Sequence, residues 1–374
     1  MLAGNAGVYI HVPFCARRCA YCDFYSTTAR SVPPRFVGAL ERESRMASDR
    51  FDGLDVGTIY IGGGTPSLMD ASGMERIIDA VRGSFNVSID CELTVEVNPG
   101  TIDARKLDAY KRAGVNRLSV GVQAAQGRLL STLGRIHGWD DAARTIDSAR
   151  ACGIDNLSVD LIYAIPGQSA DDWRETLDKV VSLDARHVSC YELTLEPGTP
   201  MHARYEPVDE SISLAMQDDA MRILSEAGIF RYEISNYAKP NYESRHNERY
   251  WMRRPYIGLG PGAHGCVGSE RFANPSDLDG WLAKIESGKP AWIITETLTR
   301  SDAMFETMML GLRMIKGVDI AAFQREYGAA PLELWESELN GMRRAGWADW
   351  DAERIWLTPR GLDVHNAVCL KLSG

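Results

Sequence analysis

From Val8 to about Pro240, short apolar runs alternate with longer amphipathic stretches. The runs Val8–Val12, Thr58–Ile61, Leu93–Val97, Arg117–Val122, Leu157–Ala164 and Val188–Leu195 are too short for helices, so they predict six strands. Between them the apolar period is 3.6. Met74, Ile77, Ile78 and Val81 share one helical face, and Trp173, Leu177, Val180 and Val181 another. Ser72-x-x-Glu75 and Ser169-x-x-Asp172 read as capping boxes opening those helices. Ala113-Gly114-Val115, Cys152-Gly153-Ile154 and Ala227-Gly228-Ile229 each close a helix on a glycine and launch a strand. This weak repeat is spaced by one and then two βα units. The prediction is an α/β fold: a partial (β/α)6 barrel, open on one side, with its chemistry at the C-terminal strand ends.

Beyond Tyr242 the periodicity weakens, and glycines and aromatics accumulate until about Arg300. Helical patterns then return, with Met304, Phe305, Met308 and Leu312 on one helix and Trp335, Leu339 and Met342 on another. Trp347–Trp350 and Arg354–Leu357 read as a hairpin around Asp351-Ala352-Glu353. The expected organisation is a barrel over 1–240, a connecting segment over 241–300 and a smaller α+β, winged-helix-like domain over 301–374. That last stretch carries 8 Lys/Arg against 11 Asp/Glu, which argues against a DNA-reading wing.

Composition narrows the function classes. The net charge of −10 over 374 residues excludes a non-specific nucleic-acid binder, which needs a cationic footprint. No apolar run approaches the roughly 18 residues of a membrane span, and the N-terminus reads as no signal peptide. Cys91, Cys152, Cys190, Cys266 and Cys369 are scattered singly, as buried thiols of a reducing compartment are. The expected location is the cytoplasm.

The remaining three cysteines differ. Cys15, Cys19 and Cys22 form C-x3-C-x2-C directly after the first strand, at its C-terminal end. Structural zinc needs four ligands, usually in pairs, and the chain has no second pair. Three thiolates suit a [4Fe–4S] cube with one iron left for an outside ligand. Gly62-Gly63-Gly64-Thr65-Pro66 follows the second strand and fails the spacing of a dinucleotide motif. Its glycines serve either a tight turn or close backbone approach to a ligand. Glu96, Gln123 and Asp160 are polar insertions in apolar runs, and Arg135 follows in Gly134-Arg135-Ile136. A ligand contact or a structural hydrogen bond satisfies such a residue equally well.

The cysteine array, with Tyr21 before its last cysteine, resembles the signature of the radical S-adenosylmethionine (SAM) superfamily. The resemblance implies that the open iron chelates SAM, and that one electron from a donor protein cleaves it to methionine and a 5′-deoxyadenosyl radical. It implies SAM contacts at Tyr9, Tyr21, Gly63, Gly64, Thr65, Glu96 (through the ribose), Gln123, Arg135 and Asp160. One departure stands out: Ala124-Ala125 follows Gln123 where the family usually has Ser-Phe.

Longer phrases, DLIYAIPGQS at 160–169, YELTLEPGTP at 191–200 and YIGLGPGAH at 256–264, are similar to one branch of that superfamily. It unites oxygen-independent coproporphyrinogen III oxidase with haem chaperones. The oxidase pattern adds a cysteine two residues after the triplet, where this chain has Phe24, and an N-terminal extension, whereas eight residues precede Tyr9 here. The chaperone pattern H-N-x-x-Y-W stands at His246–Trp251. The resemblance therefore implies a haem chaperone that binds haem, a [4Fe–4S] cluster and SAM. Such a protein passes haem to apoproteins such as respiratory enzymes, with a homodimer as one assembly it allows. The alternative is the oxidase, which decarboxylates two propionates of its porphyrinogen. His246 is a candidate axial ligand with Tyr250 and Trp251 walling the macrocycle, or a structural histidine in an aromatic pair. His264 is a second candidate ligand.

Overall fold

The computed structural model describes residues 5–373. Strands β1 (Ala6–Val12), β2 (Asp55–Gly63), β3 (Asn86–Val97), β4 (Arg117–Gln123), β5 (Asn156–Tyr163) and β6 (His187–Glu192) lie side by side in chain order. All five pairings between them are parallel. Intervening helices supply the crossovers, as a parallel sheet requires.

Alternation along each strand divides the two faces. Val8, Ile10 and Val12, then Ile59 and Ile61, Leu118, Val120 and Val122, and Leu157, Val159 and Leu161 are all 0% exposed. They join one core with Phe36, Leu40, Ile77, Ile78, Trp173 and Leu177 of the crossover helices. Each such side chain contributes roughly 1.5–3 kcal/mol by leaving water. The interleaved residues face the other way, and those from Tyr60 on β2 to Tyr191 on β6 line one common cavity. The sheet therefore curls around that cavity, as a partial barrel does.

Residues 241–300 extend this sheet. After β7 (Asn236–Ala238), which runs antiparallel to β6, β8 (Tyr256–Leu259) crosses to the opposite edge and pairs in parallel with β1. Strands β9 (His264–Val267), β10 (Glu270–Ala273) and β11 (Ile293–Thr297) continue outward in antiparallel fashion. The cap expected at Ser72 lies two residues earlier. Helix Ala71–Ser84 is capped by Asp70, whose carboxylate accepts from Gly73 N at 2.7 Å. The Ser169–Asp172 box is present with both bonds. Gly114, Gly153 and Gly228 all have positive φ, the backbone that lets a helix end there.

Helices Arg300–Gly311, Ile320–Tyr327 and Glu336–Arg344 pack with the hairpin Ala348–Trp350 and Arg354–Leu357 around a separate core of Met308, Phe323, Leu339, Met342 and Ile355. Val318–Asp319 completes a three-stranded sheet, giving the helix–strand–helix–helix–hairpin order of a winged helix. Arg313 of this unit pairs with the buried Glu233 at 3.1 Å and lies 4.3 Å over the Trp251 ring.

Candidate functional site

At the top of β1, Phe14–Cys15 pairs with Thr27–Thr28 and ties off the loop that carries the other two cysteines. Ala20 N donates to Leu133 O at 3.0 Å, anchoring that loop across the barrel mouth. Cys15, Cys19 and Cys22 line the mouth of the 480 Å3 cavity. Thr65 Oγ1 donates to Cys15 Sγ and Arg135 Nη1 to Cys19 Sγ, each at 3.5 Å. Burial raises the Cys15 and Cys22 thiols above the ordinary range, so a compensating cation is needed for them to ionise. Among the described residues no three such side chains converge on a single metal ion. The donor set, three sulfur atoms with N–H and O–H groups aimed at two of them, fits a multi-iron cluster.

Below the mouth, the β2 end and Glu96 form one unit. Gly63 N donates to Glu96 Oε2 at 3.0 Å, and Tyr60 Oη donates to Oε1 at 2.9 Å. Gly63 sits at φ +106°, a conformation side chains resist. A Cβ on Gly64 would lie 2.8 Å from Val12 O and 2.9 Å from Phe14 O, so the strand end must be glycine to reach the cysteine loop. Burial, then the neighbouring Asp160, pushes the Glu96 carboxyl up to about 7 against its two hydrogen bonds. Burial also raises Asp160, opposed by hydroxyls. Its carboxylate accepts from Ser119 Oγ at 2.8 and 3.0 Å and from Ser158 Oγ at 3.3 Å. Arg135 Nη2 is pinned to Asn98 Oδ1 at 2.6 Å and Gly121 O at 2.7 Å, which holds its other nitrogen at Cys19.

Tyr21, Gly63, Gly64, Thr65, Glu96, Gln123, Arg135 and Asp160 thus all line one cavity with the three cysteines. Tyr9 stands apart. It lies behind Tyr60, with ring centroids 6.2 Å apart, and its hydroxyl meets His11 Nδ1 at 3.1 Å.

The candidate haem residues divide sharply. Helix Arg245–Trp251 closes the barrel floor, its first amides held by the Glu92 carboxylate at 3.0 and 3.2 Å. His246 is 1% exposed, and both ring nitrogens are taken: Nδ1 by Thr58 Oγ1 at 2.8 Å and Nε2 by Tyr250 Oη at 2.9 Å. Its ring stacks on Tyr60 at 5.2 Å. Burial, with Arg249 and Arg117 nearby, lowers it to about 3, so it is neutral. In this conformation His246 offers no nitrogen to an iron, and Trp251 lies under Arg313 rather than against open space. The physical reason is position: the helix seals the end of the barrel opposite the cysteines. His264, at the start of β9, is exposed, and its ring has no hydrogen bond among the described residues.

Sequence reasoning missed Tyr60, Asn98, Arg117, Ser119 and Tyr191, which line the same cavity. The signal was there on β4, where polar Arg117, Ser119 and Gln123 interleave with Leu118, Val120 and Val122. All seven β4 residues are buried, so the polar ones must face a polar interior.

The Radical SAM superfamily matches the chain over residues 9–180, and the HemN C-terminal domain over 298–364. Heme chaperone HemW of Bacillus subtilis is 35% identical over 368 residues, spanning 96% of this chain and 97% of that one. Heme chaperone HemW of Escherichia coli is 39% identical over 264 residues, 70% of each. Radical S-adenosyl methionine domain-containing protein 1, mitochondrial, of Danio rerio is 35% identical over 84% of this chain and 74% of its own. Coproporphyrinogen III oxidase (HemN) from Escherichia coli superposes with a TM-score of 0.86 over 98% of this chain and 90% of its own, at 21% identity, a likeness of fold. The chain belongs to the HemW haem-chaperone family of the radical SAM superfamily.

Proposed function

We propose that this chain is a haem chaperone, binding haem and delivering it to apoproteins such as respiratory enzymes, with a [4Fe–4S] cluster and SAM bound at the barrel mouth. The observation that carries the reading is identity of 35% along 96% of the chain to a relative named as a haem chaperone. Cys15, Cys19 and Cys22 would hold the cluster, with Arg135 and Thr65 tempering the charge on two sulfurs. Gly63, Gly64, Thr65, Glu96, Gln123 and Tyr21 would bind and orient SAM, the Glu96 carboxylate facing the cavity with one internal donor on each oxygen. Arg135 and Asp160 belong to the same wall, Asp160 held in place by its serines. Once reduced by an electron donor, the cluster would supply one-electron chemistry. The location we propose is cytoplasmic; among the described residues no helix is long and apolar enough to cross a membrane.

For the haem iron, accessibility favours His264 over His246. Of the seven histidines, His202 and His264 are exposed, with ring nitrogens unbonded among the described residues, while the other five are buried. His264 lies outside the cavity lining, its backbone packed against Gly258 of β8. Phe24 stands where the oxidase pattern has a further cysteine, and it is 68% exposed beside the cluster loop. An apolar side chain at this rim suits contact with a macrocycle or a partner protein.

Visible spectroscopy tests the reading. Haem added to cluster-replete protein should give a saturable Soret shift, altered by His264→Ala. Coproporphyrinogen III under reducing conditions with SAM should remain intact. Decarboxylation stoichiometric with SAM cleavage would establish the oxidase instead.

A further inference from the structure

The large sheet ends on two unequal edges, β11 on one side and the two-residue strand Phe230–Arg231 on the other. All five β11 residues are exposed, Ile293 at 59% and Ile294 at 55%. Free backbone donors and acceptors along such an edge are a template for another strand, and chains guard it with charge, proline or a bulge. Here the guards sit at the ends. Pro290 precedes the strand, while a bulge at Thr295 and the Glu296 carboxylate follow its first half. Between them, half-buried Trp292 and exposed Ile293 and Ile294 form an unguarded apolar run. Side chains alternate along a strand, so Ile293 shares a face with Ala273 and His264, its neighbours in register on β10 and β9. Ile294 shares the opposite face with Phe272.

We propose that β11 is the contact through which a second copy of this chain pairs, antiparallel and edge to edge, about a two-fold axis at Ile293. That register is self-complementary. Ile293 meets the partner's Ile293, and Trp292 meets the partner's Ile294 on both sides of the axis, the kind of cross-strand apolar pair that stabilises neighbouring strands. Like charges do not meet. Lys289, exposed and without an ion pair among the described residues, falls at the end of the partner's strand, beside the partner's Glu296. Within one copy the Glu296 charge is already countered by Arg271 at 3.4 Å. Pro290 has no amide hydrogen and ends the new ladder. Centring the axis on Thr295 instead would set Ile294 against the partner's Glu296, which wastes the apolar run. The pairing joins His264, Ala273 and Ile293 of both copies into one row across a continuous sheet. Five strand spacings, about 24 Å, then separate the two His264 positions on the same face. The pairing itself needs no haem; only the presentation of two haem ligands side by side rests on the chaperone reading.

One strand pair of this length buries less than the roughly 800 Å2 per partner of a standard interface, so the dimer should dissociate at micromolar concentrations. Analytical ultracentrifugation of the cluster-replete chain should therefore show a monomer–dimer equilibrium. Ile293→Lys sets two like charges on the axis and should weaken it by about tenfold, while Ile293→Val keeps it. Cross-linking reads the register. Ile293→Cys should form an inter-chain disulfide under mild oxidation, because directly opposite residues have Cβ atoms about 4.5–5.5 Å apart. Thr297→Cys should give no more cross-link than the wild type, since the two copies of that position lie about 27 Å apart in this register. If Ile293→Lys does not fold, the two cysteine variants decide. A chain that stays monomeric throughout the micromolar range overturns the proposal. A dimer that ignores Ile293→Lys, or cross-links through Thr297→Cys as readily as through Ile293→Cys, overturns it as well. Wild type that binds no haem overturns the chaperone reading, while the sedimentation and cross-linking results still decide the pairing.

Discussion

Replacing His246 by alanine should destabilise the protein and weaken SAM binding, and should leave the haem spectrum as it was. The imidazole bridges Thr58 Oγ1 at 2.8 Å and Tyr250 Oη at 2.9 Å from a site 1% exposed. Its loss strands the Tyr250 hydroxyl in a buried position, at a cost of about 1–3 kcal/mol. Thr58 suffers less, because Arg249 Nε still donates to it at 3.0 Å. The void against Tyr60 adds about 1 kcal/mol more. The sum is about 3 kcal/mol, a large part of the stability of a typical domain. Because Tyr60 in turn holds Glu96 Oε1, SAM affinity should fall by about three- to tenfold. Urea denaturation, SAM calorimetry and the haem spectrum of the same preparation test all three parts. A variant of unchanged stability whose Soret band moves, or which no longer binds haem, would refute this. His246 would then be the iron ligand, and the floor helix would have to open to present it.

The titration of His246 gives a second prediction. Its folded value is lowered to about 3, whereas an unfolded chain takes up the proton near 6.5, so stability is lost as pH falls through 6.5 towards 3. Between pH 7.5 and pH 5 the loss from this residue is about 2 kcal/mol, and the unfolding free energy of His246→Phe from urea titrations should fall less by that amount; equal falls would place the histidine in a less buried setting. Cys15→Ser, Cys19→Ser or Cys22→Ser should each abolish the roughly four irons per chain expected after anaerobic reconstitution, while Cys91→Ser keeps them; equal iron loss in both sets would count against the three-cysteine site. Glu96→Ala and Gly63→Val should weaken SAM binding without loss of iron, the second because a side chain at φ +106° is strained and would collide with the His11 ring. Unchanged SAM affinity in both would make this strand end purely structural.

The six barrel strands were legible because apolar runs bounded by turn residues are a local signal, and each stands close to its expected place. The first half of β3, Asn86–Cys91, was not, since it extends past the core and none of its residues is buried. Nor was β8, because its pairing with β1 joins segments nearly 250 residues apart and Gly258 in its middle blurs the pattern. The mouth of the site was legible from the cysteine spacing and from polar residues at strand ends. The floor was not. Arg117, Tyr60 and His246 acquire their roles from neighbours on other strands and on the floor helix, and nothing local distinguishes a histidine that seals a barrel from one that ligates iron. His246 shows the limit best, since a ligand and a structural histidine in an aromatic pair suit its sequence equally, and only the partners Thr58 and Tyr250 decide between them.

A haem-transfer measurement tests the central claim most directly. Protein loaded with one equivalent of haem is mixed with an apo-haemoprotein of distinct Soret maximum, and the spectrum is followed with time beside a control of free haem. The account predicts saturable haem binding by the chain, followed by complete transfer to the acceptor. It also predicts that coproporphyrinogen III supplied with SAM and a reductant in parallel is left unchanged. Failure to bind haem, or conversion of the porphyrinogen with one SAM cleaved per carboxylate lost, would contradict it.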